Sequence, residues 1–252
     1  MEEQASPPFF GGCHVMSSLT RKIPRGTATE APALATLAEL RAWSDAGQLP
    51  ELLPSRQERG MRAALAMLEA GIVLLRDRSL DALSVEAVCR AAGSTVGAFY
   101  ARFESKRAYF LTIERVICLR AQARLERFAE SLSHLPASVD RFCEELVQNS
   151  VQGFRTNFGV FRAALLHSHE DMWTLLQATG DDFRRVLGAR MAPLLVHVPR
   201  AQRTMRVQFA FTALMGTMVH IVLNNPGPLG LADDTLEQEL ARLVRHYLRA
   251  ED

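Results

Sequence analysis

Residues 84–110 read SVEAVCRAAGSTVGAFYARFESKRAYF, and this stretch decides the fold. It opens on Ser84, a residue type that accepts a backbone hydrogen bond at the start of a helix. The apolar positions that follow at helical spacing are Val85, Val88 and Ala92. Gly93 can then adopt the left-handed backbone conformation that closes a helix. The pattern predicts a short helix with one buried side, ended by a tight turn.

A second apolar pattern follows the turn. Val96, Phe99 and Phe103 fall at positions i, i+3 and i+7, which predicts a further helix that starts at Thr95 and buries one face. The opposite face carries only small residues, namely Gly97, Ala98 and Ala101. A helix with such a thin outer face can approach another surface closely.

Two short helices joined by a glycine-containing turn, the second with a thin outer face, are what a DNA-binding helix-turn-helix requires. The second helix could enter a major groove, where Thr95 would offer a hydroxyl and a methyl group to base edges. Tyr100, Arg102 and Lys106 lie where they could hold phosphates. The alternative is a plain helical corner, because Ala and Gly also let two protein helices pack closely. Segment 55–107 holds nine Lys or Arg and six Asp or Glu, an excess too small to decide between the two.

The segment AAGSTVGAFYARFESKRAYF resembles the signature of the tetracycline-repressor (TetR) family of bacterial transcription regulators. The resemblance covers about residues 67–110, and its matching positions are Ala92, Gly93, Thr95, Gly97, Phe99, Tyr100, Phe103 and Lys106. Two residues depart from the family pattern. Ser94 stands where an apolar residue is usual after the turn glycine, and Ser79 stands where a glycine is usual after the first helix.

The resemblance also implies roles for single residues. The recognition helix would begin at Thr95, and backbone phosphates would be held by Ser84, Tyr100 and Lys106. The full set of residues predicted to contact DNA is Ser84, Ser94, Thr95, Val96, Gly97, Ala98, Tyr100, Arg102 and Lys106. Three earlier arginines could reach flanking DNA or be solvated, and we favour solvation for Arg56, Arg59 and Arg62.

The composition argues against several other classes of function. The chain of 252 residues has a net charge of +1, so any nucleic-acid site must be local. Its four cysteines show no spacing typical of zinc, and the histidines of HSHED, residues 167–171, do not share a helix face. We therefore expect no metal, no cofactor and no catalysis. The N-terminus lacks a secretory pattern and the apolar run 209–223 is too short to span a bilayer, which predicts a cytoplasmic protein without membrane contact.

We predict three regions along the chain. Residues 1–54 form an extension that is partly disordered, with a short helix that carries Leu34, Leu37, Leu40 and Trp43 and ends at Gly47. Residues 55–107 form the DNA-binding domain, whose first helix starts at a capping box of Ser55 and Glu58. Residues 108–252 form a second helical domain. Its breaks are predicted near Pro136, Gly159, Gly180, Pro193, Pro199 and Asn224.

For the second domain, the TetR resemblance implies a small-molecule effector and dimerisation through the last two helices, at about 201–223 and 233–249. The last helix carries an apolar stripe, after an N-cap at Asp233 or Asp234, of Leu236, Leu240, Leu243, Val244 and Tyr247. An effector pocket could be lined by Phe142, Phe154, Phe158, Phe161, His167, Trp173, Met205 and Phe209. Aromatic residues and Met at helical spacing are equally typical of a plain core.

The sequence thus predicts an all-helical regulator of bacterial transcription, bound to the nucleoid when it binds DNA. Its simplest form is a homodimeric repressor that binds a palindromic operator in double-stranded DNA and is released by a small molecule. A second hypothesis keeps the DNA binding but places it under a protein partner or under no effector. A third makes the chain a helical enzyme or adaptor that never meets DNA, and absent or salt-insensitive DNA binding would favour it.

Overall fold

A computed structural model describes residues 34–131, 138–167, 170–224 and 229–250, with the backbone alone for residues 131 and 170–173. Within these ranges the chain is helical and has no strand, which confirms the predicted all-helical class. The helices are α1 (Leu37–Asp45), α2 (Glu58–Leu75), α3 (Val85–Ala91), α4 (Val96–Tyr100), α5 (Lys106–Ser131), α6 (Val139–Thr156), α7 (Phe158–Leu166), α8 (Glu170–Met191), α9 (Arg200–Asn224) and α10 (Thr235–Arg249), with a 3-10 turn at Ala192–Leu194. The predicted disorder of residues 1–30 and the predicted break near Pro136 lie outside the described residues.

A first core forms where α2, α4 and the start of α5 meet. Phe99 and Phe103 are fully buried there, and the rings of both lie within 5.2 Å of the Tyr109 ring, centroid to centroid. The Tyr109 hydroxyl donates to the carbonyl of Met67 in α2 at 2.6 Å. α7 closes this core from the other side with its buried residues Val160, Ala163 and Ala164. The helix-turn-helix region therefore shares its core with helices that follow it in the chain.

The short helix predicted near Leu40 is present as α1, capped by Thr36, and Gly47 follows it with φ +69°. Its surroundings differ from a loose extension, because Leu40, Leu49 and Leu52 are buried in the first core. Residues 34–54 thus pack as part of the N-terminal fold.

One ion pair and one backbone hydrogen bond hold this segment in place. The Arg115 guanidinium of α5 makes a two-pronged bond with Glu51, at 3.0 and 2.7 Å. The Leu53 N–H donates to the carbonyl of Arg102 at 2.8 Å. A boundary at residue 54 would therefore cut through a packed unit, as would one at residue 107 inside α5.

Two predicted helix boundaries are wrong. α2 starts after Gln57 without a side-chain cap, because the Ser55 hydroxyl donates to the Gln57 carbonyl at 3.2 Å and Glu58 pairs with Arg62 one turn along. α8 runs through Gly180 without a break. A single glycine costs a helix interior only about 1 kcal/mol, which tertiary packing can offset.

A second core is built from α6, α8, α9 and α10. Its largest side chains include Phe142, Phe211, Leu214, Met218, Leu236 and Leu240. Arg155 of α6 ties down the approach to α10, because its guanidinium donates to the carbonyls of Leu231 and Asp233 and pairs with Glu237. The N-cap residue of α10 is Asp234, which makes no side-chain cap bond, while the Asp233 carboxylate accepts the Thr235 N–H at 2.9 Å from one position earlier.

Helix α9 differs from its prediction in two respects. It spans 25 residues, more than the apolar run 209–223, and among the described residues it is the only helix long and apolar enough to cross a membrane by length and composition, a test that the core helix of a soluble protein also passes. Its sequence is apolar nearly all round, which predicts burial on several sides. Val207, Phe211 and Leu214 face the second core, but Met205 and Phe209 are 53% and 55% exposed.

Candidate functional site

The predicted turn between the two short helices lies where the sequence places it. The Ser84 hydroxyl accepts the Ala87 N–H at 3.1 Å and caps α3. Gly93 has φ +60°, the left-handed conformation that favours glycine. The Ser94 N–H returns to the carbonyl of Cys89 at 2.8 Å. The chain therefore leaves α3 through a closed, hydrogen-bonded turn.

Helix α4 begins as predicted but is shorter. The Thr95 hydroxyl accepts the Ala98 N–H at 3.1 Å, and the helix ends at Tyr100 after five residues. Phe99 and Phe103 are 0% exposed, as predicted, although Phe103 lies beyond the helix end. Val96 was expected on the buried face and is instead 38% exposed. Because α4 is so short and contacts the core through Phe99, most of its surface is exposed.

The outer face of α4 consists of Gly97, Tyr100 and Ala101, at i, i+3 and i+4. A Cβ added to Gly97 would meet nothing closer than the Thr95 hydroxyl at 4.0 Å. Tyr100 is 52% exposed and rests its ring edge-on against Phe99. Ala98 was expected on this face but is half-buried against the first core. The thin face is thus uncovered over most of its predicted extent.

Arg102, predicted to hold a phosphate, is engaged by the protein. Its Nε donates to the carbonyl of Gly60 at 3.2 Å and its second guanidinium nitrogen donates to Ala101 at 2.8 Å. Gly60 is needed for this approach, since an added Cβ would lie 2.1 Å from the guanidinium. Arg102 therefore fastens the end of α4 to the start of α2.

Lys106 has a similar role on the other side of the motif. Its ammonium donates to three carbonyls of the segment between α2 and α3, at 3.0, 3.4 and 3.2 Å, those of Leu80, Asp81 and Leu83. A phosphate would have to compete with all three oxygens. The structure thus gives Lys106 a positioning contact that the prediction of a phosphate contact did not include.

The three arginines that were expected to be solvated are exposed. Arg56 and Arg59 precede Gly60 in the chain, and the Gly60 carbonyl accepts the bond from Arg102 at the end of α4. Arg62 is 71% exposed and pairs with Glu58.

The residues predicted to line an effector pocket do not surround one cavity. Phe142 is fully buried against Phe128, and Phe154 is stacked on Phe161 at 4.4 Å between ring centroids. Phe158 lies under the Arg162 guanidinium at 5.3 Å. These four aromatic residues fill core or junction space.

The remaining predicted pocket residues are also dispersed. Met205 and Phe209 lie on the exposed side of α9, where the Phe209 ring contacts Tyr247 at 5.3 Å. His167 ends α7 and lies 3.7 Å from the Asp81 carboxylate. The Trp173 side chain lies outside the described residues. The predicted residues are separated because some lie on helix faces that pack in the core, some lie on exposed faces, and His167 lies at the end of α7.

A cleft of about 220 Å³ lies between α5 and α8. Its lining residues are Gln48, Arg115, Cys118, Leu119, Gln122, Leu175, Ala178, Thr179 and Asp182, none of them predicted. A small void of about 10 Å³ adjoins it through Cys118 and is lined also by Glu114, Ile117, Val160, Phe161 and Leu176. Of the predicted pocket residues, only Phe161 lines either space. One sequence signal was available, because Glu114 and Arg115 interrupt a mostly apolar run at 108–119.

Residues 67–113 match the model of the family described as bacterial regulatory proteins, tetR family. The chain is similar to the uncharacterized HTH-type transcriptional regulator YwcC of Bacillus subtilis (strain 168), with 48% identity over 46 residues, which is 18% of this chain and 21% of YwcC. It is also similar to the HTH-type transcriptional regulator EthR of Mycobacterium tuberculosis, with 31% identity over 115 residues, 46% of this chain and 50% of EthR. The chain thus spans half or less of the length of these curated relatives.

A crystal structure of a TetR-family regulator from Streptomyces coelicolor A3 has 18% sequence identity and a TM-score of 0.43, over 78% of this chain and 100% of that chain. The family match covers the second half of α2, all of α3 and α4, and the start of α5. This is the part of the chain that carries the thin helix face.

Proposed function

We propose, from the membership of this chain in the TetR family of transcription regulators, that it represses transcription by binding a palindromic operator as a homodimer. The observation that carries the proposal is the open outer face of α4, where a Cβ on Gly97 would meet no protein atom closer than 4.0 Å. A helix that lacks side-chain bulk can bring its backbone close to base edges in a major groove about 12 Å wide.

Thr95 and Tyr100 have different roles in this docking. The Thr95 hydroxyl oxygen already accepts the Ala98 N–H, so its hydrogen remains available to a base acceptor while its methyl group can contact a thymine methyl. Tyr100 is exposed at the edge of the same face, where its hydroxyl can donate to a phosphate. Ser84 can do the same at the start of α3, because its hydrogen is also unused by the cap.

Four cations of segment 55–107 divide into two pairs. Arg102 binds the end of α4 to the Gly60 carbonyl and Lys106 binds carbonyls of the segment between α2 and α3, so both position the helix-turn-helix. Arg56 and Arg59 are exposed at the start of α2, so they take the flanking phosphates. This assignment explains how a chain with a net charge of +1 presents a local positive edge to DNA.

Dimerisation is proposed through the uncovered sides of α9 and α10. Met205 and Phe209 on α9 and Leu243 on α10 are each more than half exposed, and Phe209 contacts Tyr247 across the two helices. A contiguous apolar surface of this kind is typical of a protein interface. Two copies joined here would form a four-helix bundle and carry two α4 helices for two half-sites, spaced by about 34 Å or a multiple of it.

Control by a small molecule is part of the proposal, and its site is the cleft between α5 and α8. A ligand that binds one arrangement of these helices more tightly shifts the population away from the one that fits the operator. The alternative, control by a protein partner or by no effector, is favoured by Phe142, which is fully buried in a second core where a large pocket had been predicted. A cytoplasmic location, at the nucleoid when DNA is bound, completes the proposal.

The experiment that tests this function is selection of bound fragments from the source genome by the full chain, followed by affinity measurements on the enriched site at several salt concentrations. We expect a near-palindromic site and an affinity that falls steeply as salt rises. Tyr100→Phe should weaken binding about equally on all sequences, whereas Thr95→Ser keeps the cap and should relax base preference. No enrichment over random fragments, or binding insensitive to salt, would refute DNA binding.

A further inference from the structure

Glu114 is the most unusual polar residue in the described part of the chain. Its side chain lies on α5 with the residue 2% exposed, and neither carboxyl oxygen has a hydrogen-bond partner among the described residues. Buried carboxyl groups without a donor are rare, since each costs the full desolvation of the group. Such a residue points to a partner that the protein itself does not supply.

The carboxyl group borders open space. Glu114 lines the 10 Å³ void together with Val160 and Phe161 of α7 and Leu176 of α8. Cys118, one helical turn further along α5, lines both this void and the 220 Å³ cleft. A ligand in the cleft therefore reaches Glu114 past the thiol of Cys118, whose pKa burial raises to about 11 and which stays uncharged.

The cations and amides around the cleft are already engaged elsewhere. The Arg115 guanidinium is bound to Glu51, and the Gln122 amide donates to Asp182 at 3.2 Å. The Thr179 hydroxyl donates to the carbonyl of Leu175 at 2.9 Å. The cleft thus has the Asp182 carboxylate on its wall, the Glu114 carboxyl group in the adjoining void beyond Cys118, and no spare cation among its described lining residues.

We propose that this cleft takes a small primary amine with an apolar body, whose ammonium group donates hydrogen bonds to Glu114. The proposal rests on the proposed function and names the chemical class of its effector. An ammonium group is close to a water molecule in size, which suits the void, and the apolar body lies along Cys118, Leu119 and Leu175. The cleft is smaller than the roughly 300 Å³ at which sites for drug-sized ligands begin, so the body is short.

Burial sets the protonation state of Glu114 that the ligand meets. It raises the pKa of Glu114 to about 8, so the group is mainly protonated in the empty site at pH 7. A bound ammonium ion stabilises the carboxylate and lowers that pKa, whereas a neutral alcohol or a carboxylic acid does not. The Arg115 guanidinium also lowers the pKa, but its effect is smaller than that of burial.

The test titrates the full chain by calorimetry at pH 7 with hexylamine, benzylamine and phenethylamine, each paired with the alcohol of the same carbon skeleton. We expect at least one amine to bind ten times more tightly than its alcohol, and Glu114→Gln to abolish that preference. Glu126→Gln, an exposed carboxylate on the same helix, is the matched control and should keep it. If the void takes only water, no amine will bind more tightly than the alcohol of the same carbon skeleton, and this result overturns the proposal.

A second readout does not depend on the variant. In wild-type protein labelled at glutamate, amine binding should move one carboxyl carbon signal from its protonated to its ionised position, and an unchanged spectrum at saturation overturns the proposal. Operator binding, measured on the same samples, separates the two hypotheses. Amines that bind without affecting operator affinity leave this site standing but refute effector release, whereas intact operator binding with no amine binding refutes this inference alone.

Discussion

Replacing Gly97 separates the folding of the chain from its contact with DNA. Gly97→Leu puts a side chain into open space on α4, because the nearest protein atom to its Cβ is the Thr95 hydroxyl oxygen at 4.0 Å. An exposed helical leucine is favoured over glycine by about 0.5 to 0.8 kcal/mol. We therefore expect unfolding at a temperature equal to the wild type or about 1 to 3 °C higher.

The same side chain should exclude α4 from the groove. Leucine at this position stands between the helix backbone and the base edges, so at least two base contacts worth about 1 to 3 kcal/mol each are lost. A loss of about 2 kcal/mol corresponds to roughly a thirtyfold weaker Kd, which sets the smallest effect expected. The measurement is fluorescence anisotropy with the enriched genomic site, alongside thermal unfolding by circular dichroism.

Gly153→Leu on α6 is the matched control, because a Cβ at Gly153 also meets no atom within 4 Å. It adds the same bulk away from the thin face and should leave the Kd unchanged. Operator binding by Gly97→Leu within threefold of the wild type would refute the docking of α4. A large drop in its unfolding temperature would show that the face is covered.

Four further outcomes follow from other contacts. Gly159→Ala should destabilise the fold by about 2 kcal/mol in thermal unfolding, because its Cβ would lie 2.2 Å from the Leu75 carbonyl oxygen, and unchanged stability would refute that contact. Lys106→Met should lower the free energy of unfolding in urea by about 1.5 to 3 kcal/mol through the loss of its carbonyl contacts, whereas an effect on DNA binding alone would contradict the positioning role. Burial raises the pKa of Glu114 to about 8, so between pH 4.5 and 8 the unfolded state has lost this proton while the folded state still holds it. Wild-type stability should therefore fall, relative to that of Glu114→Gln, by up to about 1.4 kcal/mol per pH unit over this range. Parallel stability profiles for the two proteins would argue against the raised pKa. Gly216→Glu adds a charge to the open face of α9 and should give a folded monomer in sedimentation, so a persistent dimer would exclude this face.

Local signals made the DNA-binding motif predictable from sequence. The caps at Ser84 and Thr95 and the left-handed Gly93 depend on residues three or fewer positions apart, and all three are present in the structure. The buried faces at Phe99 and Phe103 follow from spacing alone. Ala98 was misassigned because Val96 is exposed, so the buried face of α4 is centred on Phe99, the residue next to Ala98.

Long-range contacts were out of reach. The bond from Arg102 to Gly60 joins residues 42 positions apart, and the bond from Lys106 to Leu80 joins residues 26 apart. From the sequence alone, a solvent-exposed Lys or Arg near the motif cannot be distinguished from one whose side chain donates to a backbone carbonyl. The residues predicted to line a pocket do not surround one cavity for a related reason. The aromatic pattern indicates which face of a helix is apolar, but not whether that face contacts a core, a partner or a cavity.

Helix α7 connects the proposed ligand space to the DNA-binding motif. Val160 and Phe161 line the void beside Glu114, while the preceding residue, Gly159, presses on the last turn of α2 with no room for a Cβ. Arg162 adds a bond of 3.4 Å to the carbonyl of Leu75 in the same turn. If a ligand enlarges the void by displacing α7, the close contact between Gly159 and Leu75 transmits that displacement to α2. Amide exchange at the end of α2 should change on amine binding, and exchange confined to α5 and α8 would show that the two sites are uncoupled.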